Sequence, residues 1–259
     1  MLALHGVAVL VTRPEQQATP LCRLLEARGA TAIRLPAVEI KPVGDLGELM
    51  TRVSPIEAFD LIIFTSSNAV RFGAPLLGQH RDLTVAAIGP ATARALDRVG
   101  LRARVAPTSG FDSESLLLHP ELEYVAGRRV LIVKGKRGRE LLQAQLAERG
   151  AQVVVAEVYE RERANHSIER LAALEANFAA GAIQVITATS VEIAANLLEL
   201  ATPTLRREFD RVHWLVPSVR VRAAVRERGI TASILQADSA EDHDLVAAIE
   251  RWRSSVSGA

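Results

Sequence analysis

A chain of 259 residues is longer than a common domain of about 100–150 residues, so the first expectation is two domains. Hydrophobic residues make up 49% of the chain and charged residues 24%, which is ordinary for a globular protein. The net charge of +1 argues against a nucleic-acid or membrane-surface binder, and a single cysteine excludes an intramolecular disulfide or a Cys-rich metal site.

Apolar runs of strand length alternate with helical periodicity along the chain. The first strand is predicted at 7–11. A helix that carries Leu21 and Cys22 on its apolar face and ends near Gly29 follows, and then a strand at 31–35. Further strands are predicted at 61–64, 85–88, 129–133, 152–156, 183–187, 212–216 and 233–235. This alternation predicts parallel sheets that are covered on both faces.

The second half of the chain repeats the first. Gly6 and Gly127 each open a strand, and the helices that follow end at Gly29 and Gly150, so both pairs are 121 positions apart. The later elements match in the same order: residues 61–68 with 184–190, 88–93 with 216–221, and 99–100 with 228–229. An ordered series of this kind predicts an internal duplication.

Two segments at equivalent repeat positions, 36–42 and 157–163, have few helix signals and are candidate hinges. One division cuts the chain into tandem halves near Gly127. The other cuts at both segments and gives a central domain and a domain assembled from the two ends. Periodicity alone does not choose between these divisions.

Hydroxyl and amide residues follow several predicted strands. They lie in segments 12–14, 65–68, 89–92, 187–190 and 217–218. Each can simply cap the next helix. Because ligands of parallel α/β sheets bind beyond the carboxyl ends of the strands, the repetition also favours a polyanionic ligand in a cleft lined by helix N-termini, with the two domains facing each other.

The segment 134–139 is a basic strand-to-helix turn that suits carboxylates or phosphates, or that is simply a solvated turn. The chain contains neither a Walker P-loop nor a Gly-x-Gly-x-x-Gly fingerprint, no metal-type histidine pair and no Gly-x-Ser-x-Gly elbow. Tyr159 lies in the second hinge segment, either as an ordinary linker tyrosine or as a side chain projecting between the domains.

Five short elements occur in a fixed order. They are Val11-Thr12-Arg13-Pro14, the segment Phe64 to Val70, Gly89 with Thr92 and Ala93, the turn with Gly135, Gly138, Arg139 and Leu142, and Val158-Tyr159. Together they resemble the motifs of the uroporphyrinogen-III synthase family, and the likeness extends from Val7 to about Trp252.

The resemblance implies an α/β protein of two flavodoxin-like parallel-sheet domains, related by the internal duplication and joined by a two-stranded connector. Domain 1 is then discontinuous, with residues 1–37 plus 163–259, and domain 2 spans 42–157. Residues 38–41 and 158–162 form the hinge connector, and residues 254–259 are expected to be a disordered tail.

The resemblance also implies a lyase without a cofactor or metal. Its members close the linear tetrapyrrole hydroxymethylbilane with loss of water and invert ring D through a spiro intermediate, giving uroporphyrinogen III in haem biosynthesis. Tyr159 is the candidate catalytic residue, as proton donor to the leaving oxygen. The candidate substrate-binding residues are Arg13, Thr65, Ser66, Asn68, Gly89, Thr92, Lys134, Gly135, Arg139, Thr187, Thr189 and Ser218.

The expected partner is the small-molecule substrate, with no nucleic acid and no membrane. The N-terminus lacks a signal-peptide pattern and no apolar run has the length of a membrane span, so a cytoplasmic location is expected. A monomer is also expected. A transient contact with hydroxymethylbilane synthase stays open. The alternative function is a non-catalytic two-lobed small-anion-binding or regulatory protein, whereas a nicotinamide enzyme is disfavoured by the missing glycine fingerprint.

The second half departs from the family pattern at two strand ends. Segment 216–220 is Val-Pro-Ser-Val-Arg where the family often has Gly-Pro-Thr-Thr-Ala, and Ala188 replaces the proline of a Thr/Ser-Pro-Ser turn. Binding through backbone N–H groups would survive these changes.

Overall fold

The computed structural model describes residues 2–80 and 82–257, and the chain divides into two compact units. Unit 1 contains the chain up to Glu39 and from Glu162 onward, and unit 2 is the continuous segment Ile40–Arg161. The two points at which the chain passes from one unit to the other lie at 39/40 and 161/162.

The helices and strands alternate along the chain. The strands are β1 (Ala8–Val11), β2 (Thr31–Arg34), β3 (Val38–Pro42), β4 (Leu61–Phe64), β5 (Val85–Ala87), β6 (Ala103–Val105), β7 (Arg129–Gly135), β8 (Gln152–Arg163), β9 (Val185–Thr187), β10 (His213–Val216) and β11 (Ile234–Gln236). The α-helices are α1 (Glu15–Ala27), α2 (Leu46–Arg52), α3 (Ser67–Gly73), α4 (Pro90–Arg98), α5 (Ser113–Leu117), α6 (Leu141–Glu148), α7 (Ile168–Ala179), α8 (Val191–Leu200), α9 (Pro203–Phe209), α10 (Val219–Glu227) and α11 (Asp242–Ser257). Single 3-10 turns lie at Ile56–Ala58, Ala74–Leu77 and Pro120–Leu122.

Unit 1 contains a 5-stranded sheet in the order β2-β1-β9-β10-β11. Neighbouring strands run parallel, with Val9 beside Ala32 on one side and beside Val185 on the other. Helix α1 ends before Gly29, whose φ of 88° is a left-handed conformation that an L side chain rarely adopts, so the chain reverses there into β2.

The second sheet is 6-stranded, in the order β3-β8-β7-β4-β5-β6. The pairs from β8 to β6 are parallel, and β3 is hydrogen-bonded to β8 at the edge. Without β3, the second sheet has the same arrangement as the first. Strands β8 and β7 take the places of β2 and β1, and β4, β5 and β6 take those of β9, β10 and β11. The chain therefore builds the same strand arrangement twice, with different connectivity.

Apolar side chains cover both faces of each sheet, as the alternating pattern predicts. Trp214 is fully buried, and its indole N–H donates to the Phe209 carbonyl oxygen at 2.9 Å. Cys22 is buried in α1, and burial raises the pKa of its thiol, so it is a poor nucleophile.

The structure differs from the predicted elements at several places, and β8, for example, continues to Arg163, beyond its predicted end at 156. Strand β6 was missed because it is a three-residue edge strand with an exposed Arg104 at its centre, which gives it no apolar run. The disordered tail predicted at 254–259 is wrong for residues 254–257, which continue α11; the Ser255 hydroxyl donates to the Trp252 carbonyl oxygen at 2.7 Å there. Residues 258 and 259 lie outside the described residues.

Candidate functional site

A pocket of about 270 Å³ lies in unit 2, where β4, β5 and β7 reach their carboxyl ends. This is the edge of a parallel sheet at which ligands are generally bound. The pocket brings together five residues that the sequence predicted for the site: Thr65, Lys134, Gly135, Arg139 and Tyr159.

Tyr159 is held on several sides. Its ring stacks on that of Phe72, with centroids 6.0 Å apart and planes inclined by 25°. The phenol and the Ser66 hydroxyl share a hydrogen bond of 3.1 Å, and the Tyr159 carbonyl oxygen accepts from the Lys136 backbone N–H at 2.8 Å. Only 9% of the residue is exposed, and it lines the pocket, so a nearly buried phenol is fixed at the wall of a ligand-sized space.

Gly135 lies next to Tyr159 in the β7–β8 pairing and leaves room for the ring. A Cβ atom at Gly135 would lie 2.6 Å from Cζ, 2.8 Å from Cε2 and 2.9 Å from the hydroxyl oxygen of Tyr159. These distances are shorter than side-chain atoms tolerate. The absence of a side chain at Gly135 therefore sets the position of the phenol.

The basic turn after β7 is held partly by its own lysine. Lys134 is buried, and its ammonium group donates to the carbonyl oxygens of Gly138 at 3.0 Å and Arg139 at 3.3 Å. The Arg139 guanidinium is exposed and forms an ion pair with Glu114 at 3.0 Å. Lys134 was predicted to bind substrate, and in the structure its ammonium group donates the two hydrogen bonds that shape the turn. Among the residues that the structure describes, no carboxylate forms an ion pair with it.

The other predicted residues of unit 2 lie at two helix starts. Ser66 caps α3 by accepting from the Ala69 N–H at 2.9 Å, and Asn68 lies in the first turn of the same helix, partly exposed. Gly89 precedes α4 with an extended backbone, whereas the side chain of Thr92 is buried. Thr92 was predicted to bind substrate, and only 3% of the residue is exposed.

The remaining predicted residues lie in unit 1, at the carboxyl ends of β1, β9 and β10. Thr187 is fully buried; its hydroxyl donates to the Leu10 carbonyl oxygen at 3.2 Å and accepts from the Thr12 N–H at 3.2 Å. Its predicted contact with substrate is therefore replaced by a role in joining β1 to β9. Ser218 caps α10 by accepting from the Val221 N–H at 3.3 Å.

Arg13 was also predicted to bind substrate, but the structure commits its guanidinium to protein groups. It forms an ion pair with Asp242 at the start of α11 and donates to the Ala240 carbonyl oxygen and to the Thr189 hydroxyl, the last at 3.3 Å. Only 10% of its side chain is exposed. Arg13 therefore connects β1 to α11 and orients Thr189, which remains partly exposed.

Replacing Asp242 with asparagine is expected to lower the free energy of unfolding by about 1–3 kcal/mol, because the Arg13 cation is left without its charge partner. Urea denaturation measures this. Asp238→Asn is the matched control, since Asp238 contacts Arg251 at 3.4 Å with 74% of its side chain exposed, and we expect little change there. Equal losses in the two variants would contradict the structural role of the Arg13 pair.

Titratable groups around the pocket are acidic as well as basic. Hydrogen bonds from Ser115, first from its hydroxyl and then from its backbone N–H, hold the pKa of Asp112 below its usual value.

Within residues 2–80 and 82–257, no group of three or more His, Cys, Asp or Glu side chains is arranged to hold a metal ion. Over the same residues, none of the helices has the length and apolar character that crossing a membrane requires.

A family model described as uroporphyrinogen-III synthase HemD matches residues 20–247. This chain belongs to the uroporphyrinogen-III synthase family. The uroporphyrinogen-III synthase of Escherichia coli K12 is 32% identical over an alignment of 256 residues, with 94% of this chain and 100% of the relative covered. The protein of the same name from Salmonella typhimurium is 34% identical over 264 residues, with the same two coverages.

Solved structures of the family have a similar fold. A mutant uroporphyrinogen III synthase from the thermophilic bacterium Thermus thermophilus has a TM-score of 0.57 at 21% identity, with 98% of this chain and 100% of that chain covered. The Helicobacter pylori 26695 uroporphyrinogen-III synthetase has a TM-score of 0.59 at 15% identity, with 95% and 99% covered. The α/β fold with parallel sheets, the family and the assignment to the enzymes of porphyrin synthesis are thus confirmed.

Several residues of the pocket were not predicted to belong to the site. They are Ile88, Ser113, Ile132, Lys136, Arg137, Gly138, Leu142, Gln143 and Arg161. Lys136 and Arg137 belong to the basic turn that the sequence singled out, so a signal existed for them. Ser113 gave none, because it is an ordinary residue of α5 until the fold brings that helix to the pocket.

Proposed function

We propose that this member of the uroporphyrinogen-III synthase family closes hydroxymethylbilane into uroporphyrinogen III and that Tyr159 is its proton donor. The observation that carries the proposal is a nearly buried phenol at the wall of a basic pocket, at the carboxyl edge of a parallel sheet. The O–H group of a phenol is a proton donor, which the departing hydroxyl group needs.

The pocket suits a substrate with many carboxylates. Cationic side chains line it, and the first N–H groups of α4 and α6, which no side chain caps, favour negative charge. We assign Thr65, Asn68, Gly89 and Arg139 to substrate binding in unit 2, and Thr189 and Ser218 in unit 1. Positioning of a flexible chain in this way contributes about 7–11 kcal/mol to a cyclisation in favourable cases.

The chemical step begins when the C–O bond of the ring A hydroxymethyl group breaks. The oxygen takes the phenol proton of Tyr159 and leaves as water, and the remaining ring A system is an azafulvenium cation. The Ser66 hydroxyl, already an acceptor for the Ala69 N–H, donates to the phenol oxygen in one orientation, which leaves the phenol proton free for the substrate and stabilises the phenolate.

Ring closure follows without further protein chemistry. The substituted carbon of ring D attacks the cation and forms a spiro intermediate, which breaks and recloses with ring D inverted. The final ring carbon loses a proton, and this proton restores the phenol. Reactant and product then differ by one water molecule, and neither a cofactor nor an oxidant is needed.

We further propose that the two flavodoxin-like sheets arose by duplication and that β3 and β8 are the connector. The support is the 121-residue register between β1 and β7, and between β2 and β8, together with the shared strand order of the two sheets. The chain passes between units within β3 and within β8, so these two paired strands carry both crossings.

The test supplies porphobilinogen and a deaminase that produces hydroxymethylbilane, and resolves the oxidised uroporphyrin isomers. Without a synthase, the linear molecule closes spontaneously to the type I isomer. We expect added protein to shift the product to type III. A non-catalytic anion-binding protein, the alternative function, would leave the ratio unchanged.

The monomeric state, the cytoplasmic location and a transient contact with hydroxymethylbilane synthase remain proposals. Light scattering of the protein alone tests the monomeric state, and we expect the mass of one chain. Light scattering of the protein mixed with hydroxymethylbilane synthase tests the transient contact.

A further inference from the structure

The positive charges around the pocket are not equally available. Lys134 is tied to two carbonyl oxygens of its own turn. Lys136 pairs with Glu160 at 3.2 Å, and Arg139 pairs with Glu114 at 3.0 Å. A substrate carboxylate must therefore replace Glu160 at Lys136 or Glu114 at Arg139, and Lys134 is bound to main-chain oxygens.

Arg137 differs from its neighbours on the turn. It is exposed and lines the pocket, and its guanidinium has no hydrogen bond or ion pair with any described residue. An arginine presents planar donors that match a carboxylate with two parallel hydrogen bonds. Its five N–H groups are therefore free to meet a ligand.

The backbone at Arg137 is strained. Its φ of 60° lies in the left-handed region, which is unfavourable for residues other than glycine or asparagine. The Gly138 N–H donates to the Gly135 carbonyl oxygen at 3.1 Å, so Arg137 is the third residue of a four-residue turn. When φ is positive at this position, glycine or asparagine is the favoured residue. An arginine here lowers stability, and such strain tends to occur at functional sites.

We propose that Arg137 binds one carboxylate of the tetrapyrrole and determines its affinity, an inference that rests on the proposed function. The turn places Arg137 at the pocket wall, and the absence of an ion pair with the described residues leaves its charge uncompensated. Its left-handed backbone is unfavourable for an arginine, so stability of the fold does not explain this residue type. Arg137 holds the substrate and takes no part in the proton transfer.

The test compares Arg137→Gly with Arg137→Lys in the full-length enzyme. Glycine removes both the charge and the strain, so we expect the urea midpoint to rise, KM to increase about three- to tenfold and kcat to stay within twofold. Lysine keeps the charge without the planar fork, and we expect an intermediate KM. Arg104→Gln, an exposed arginine on β6, is the control, with both constants near those of the wild type.

A second measurement separates this inference from the proposed function. Fluorescence titration with uroporphyrin, an eight-carboxylate porphyrin, reports binding without turnover, and we expect Arg137→Gly to weaken it about three- to tenfold. If wild type yields the type III isomer but Arg137→Gly binds and turns over like Arg104→Gln, the inference is wrong and the function stands. If wild type leaves the isomer ratio unchanged while Arg137→Gly still loses affinity, the function is wrong and the carboxylate site stands.

Discussion

Replacing Tyr159 with phenylalanine is expected to lower kcat about 100-fold while leaving the fold and KM nearly unchanged. A positioned general acid typically contributes about 10²–10⁴-fold, and the variant loses the proton but keeps the ring. Phenylalanine preserves the stacking on Phe72 and the fit against Gly135, so the pocket keeps its shape. The Ser66 hydroxyl retains its bond from the Ala69 N–H, so the helix cap survives as well.

The measurement is the initial rate of type III formation in the coupled deaminase assay, with a thermal melt to monitor folding. Tyr124→Phe is the matched control, because Tyr124 is 80% exposed and lies outside the pocket. We expect that control to behave as wild type. A kcat for Tyr159→Phe within threefold of wild type would remove Tyr159 from the chemistry.

Gly135→Ala is expected to lower kcat more than tenfold through displacement of the phenol. The new Cβ would lie under 3.0 Å from three atoms of Tyr159, and Phe72 stacks on the ring, so the phenol must shift. Misplacement of a reacting group by about 1 Å can cost 10²-fold in rate. Overpacking of this kind should also lower the free energy of unfolding by about 1–3 kcal/mol.

A double variant distinguishes an effect through Tyr159 from a general loss of structure. If Gly135→Ala acts by moving the phenol, combining it with Tyr159→Phe should give a kcat close to that of Tyr159→Phe alone. Gly47→Ala is the control for the same chemical change, since the new Cβ would meet only the side chain of Asp45, at 3.2 Å. If the two losses in kcat multiply in the double variant, Gly135→Ala does not act by moving the phenol of Tyr159.

Much of the fold could be predicted because it is encoded locally. The strand at Leu61–Phe64 is a four-residue apolar run whose predicted bounds match those of the structure, and Gly29 ends α1 where its left-handed conformation is needed. The 121-residue register between segments 6–29 and 127–150 predicted an internal duplication, which no single element could indicate. What local signals could not provide was the pairing of β3 with β8, which depends on contacts between distant segments.

The site was less predictable, because hydrogen-bond partners far apart in the sequence determine which polar side chains remain available. Arg13 pairs with Asp242, 229 positions away, and Thr187 is bound to the first strand. Neither partner could be predicted from the short motif in which Arg13 or Thr187 lies. Tyr159 was found through its place in the second hinge segment. The left-handed backbone of Arg137 had no sequence signal at all, since the residue type argues against it.

The order in which the two units can fold during translation follows from the continuity of unit 2. All its strands have been synthesised once Arg161 has emerged, so this unit can fold while the rest is still being translated. Unit 1 must wait: β1 and β2 come first, but β9, the other neighbour of β1, is made last with β10 and β11. Until then, an apolar strand edge along β1 lacks its partner and is open to pairing with another nascent chain.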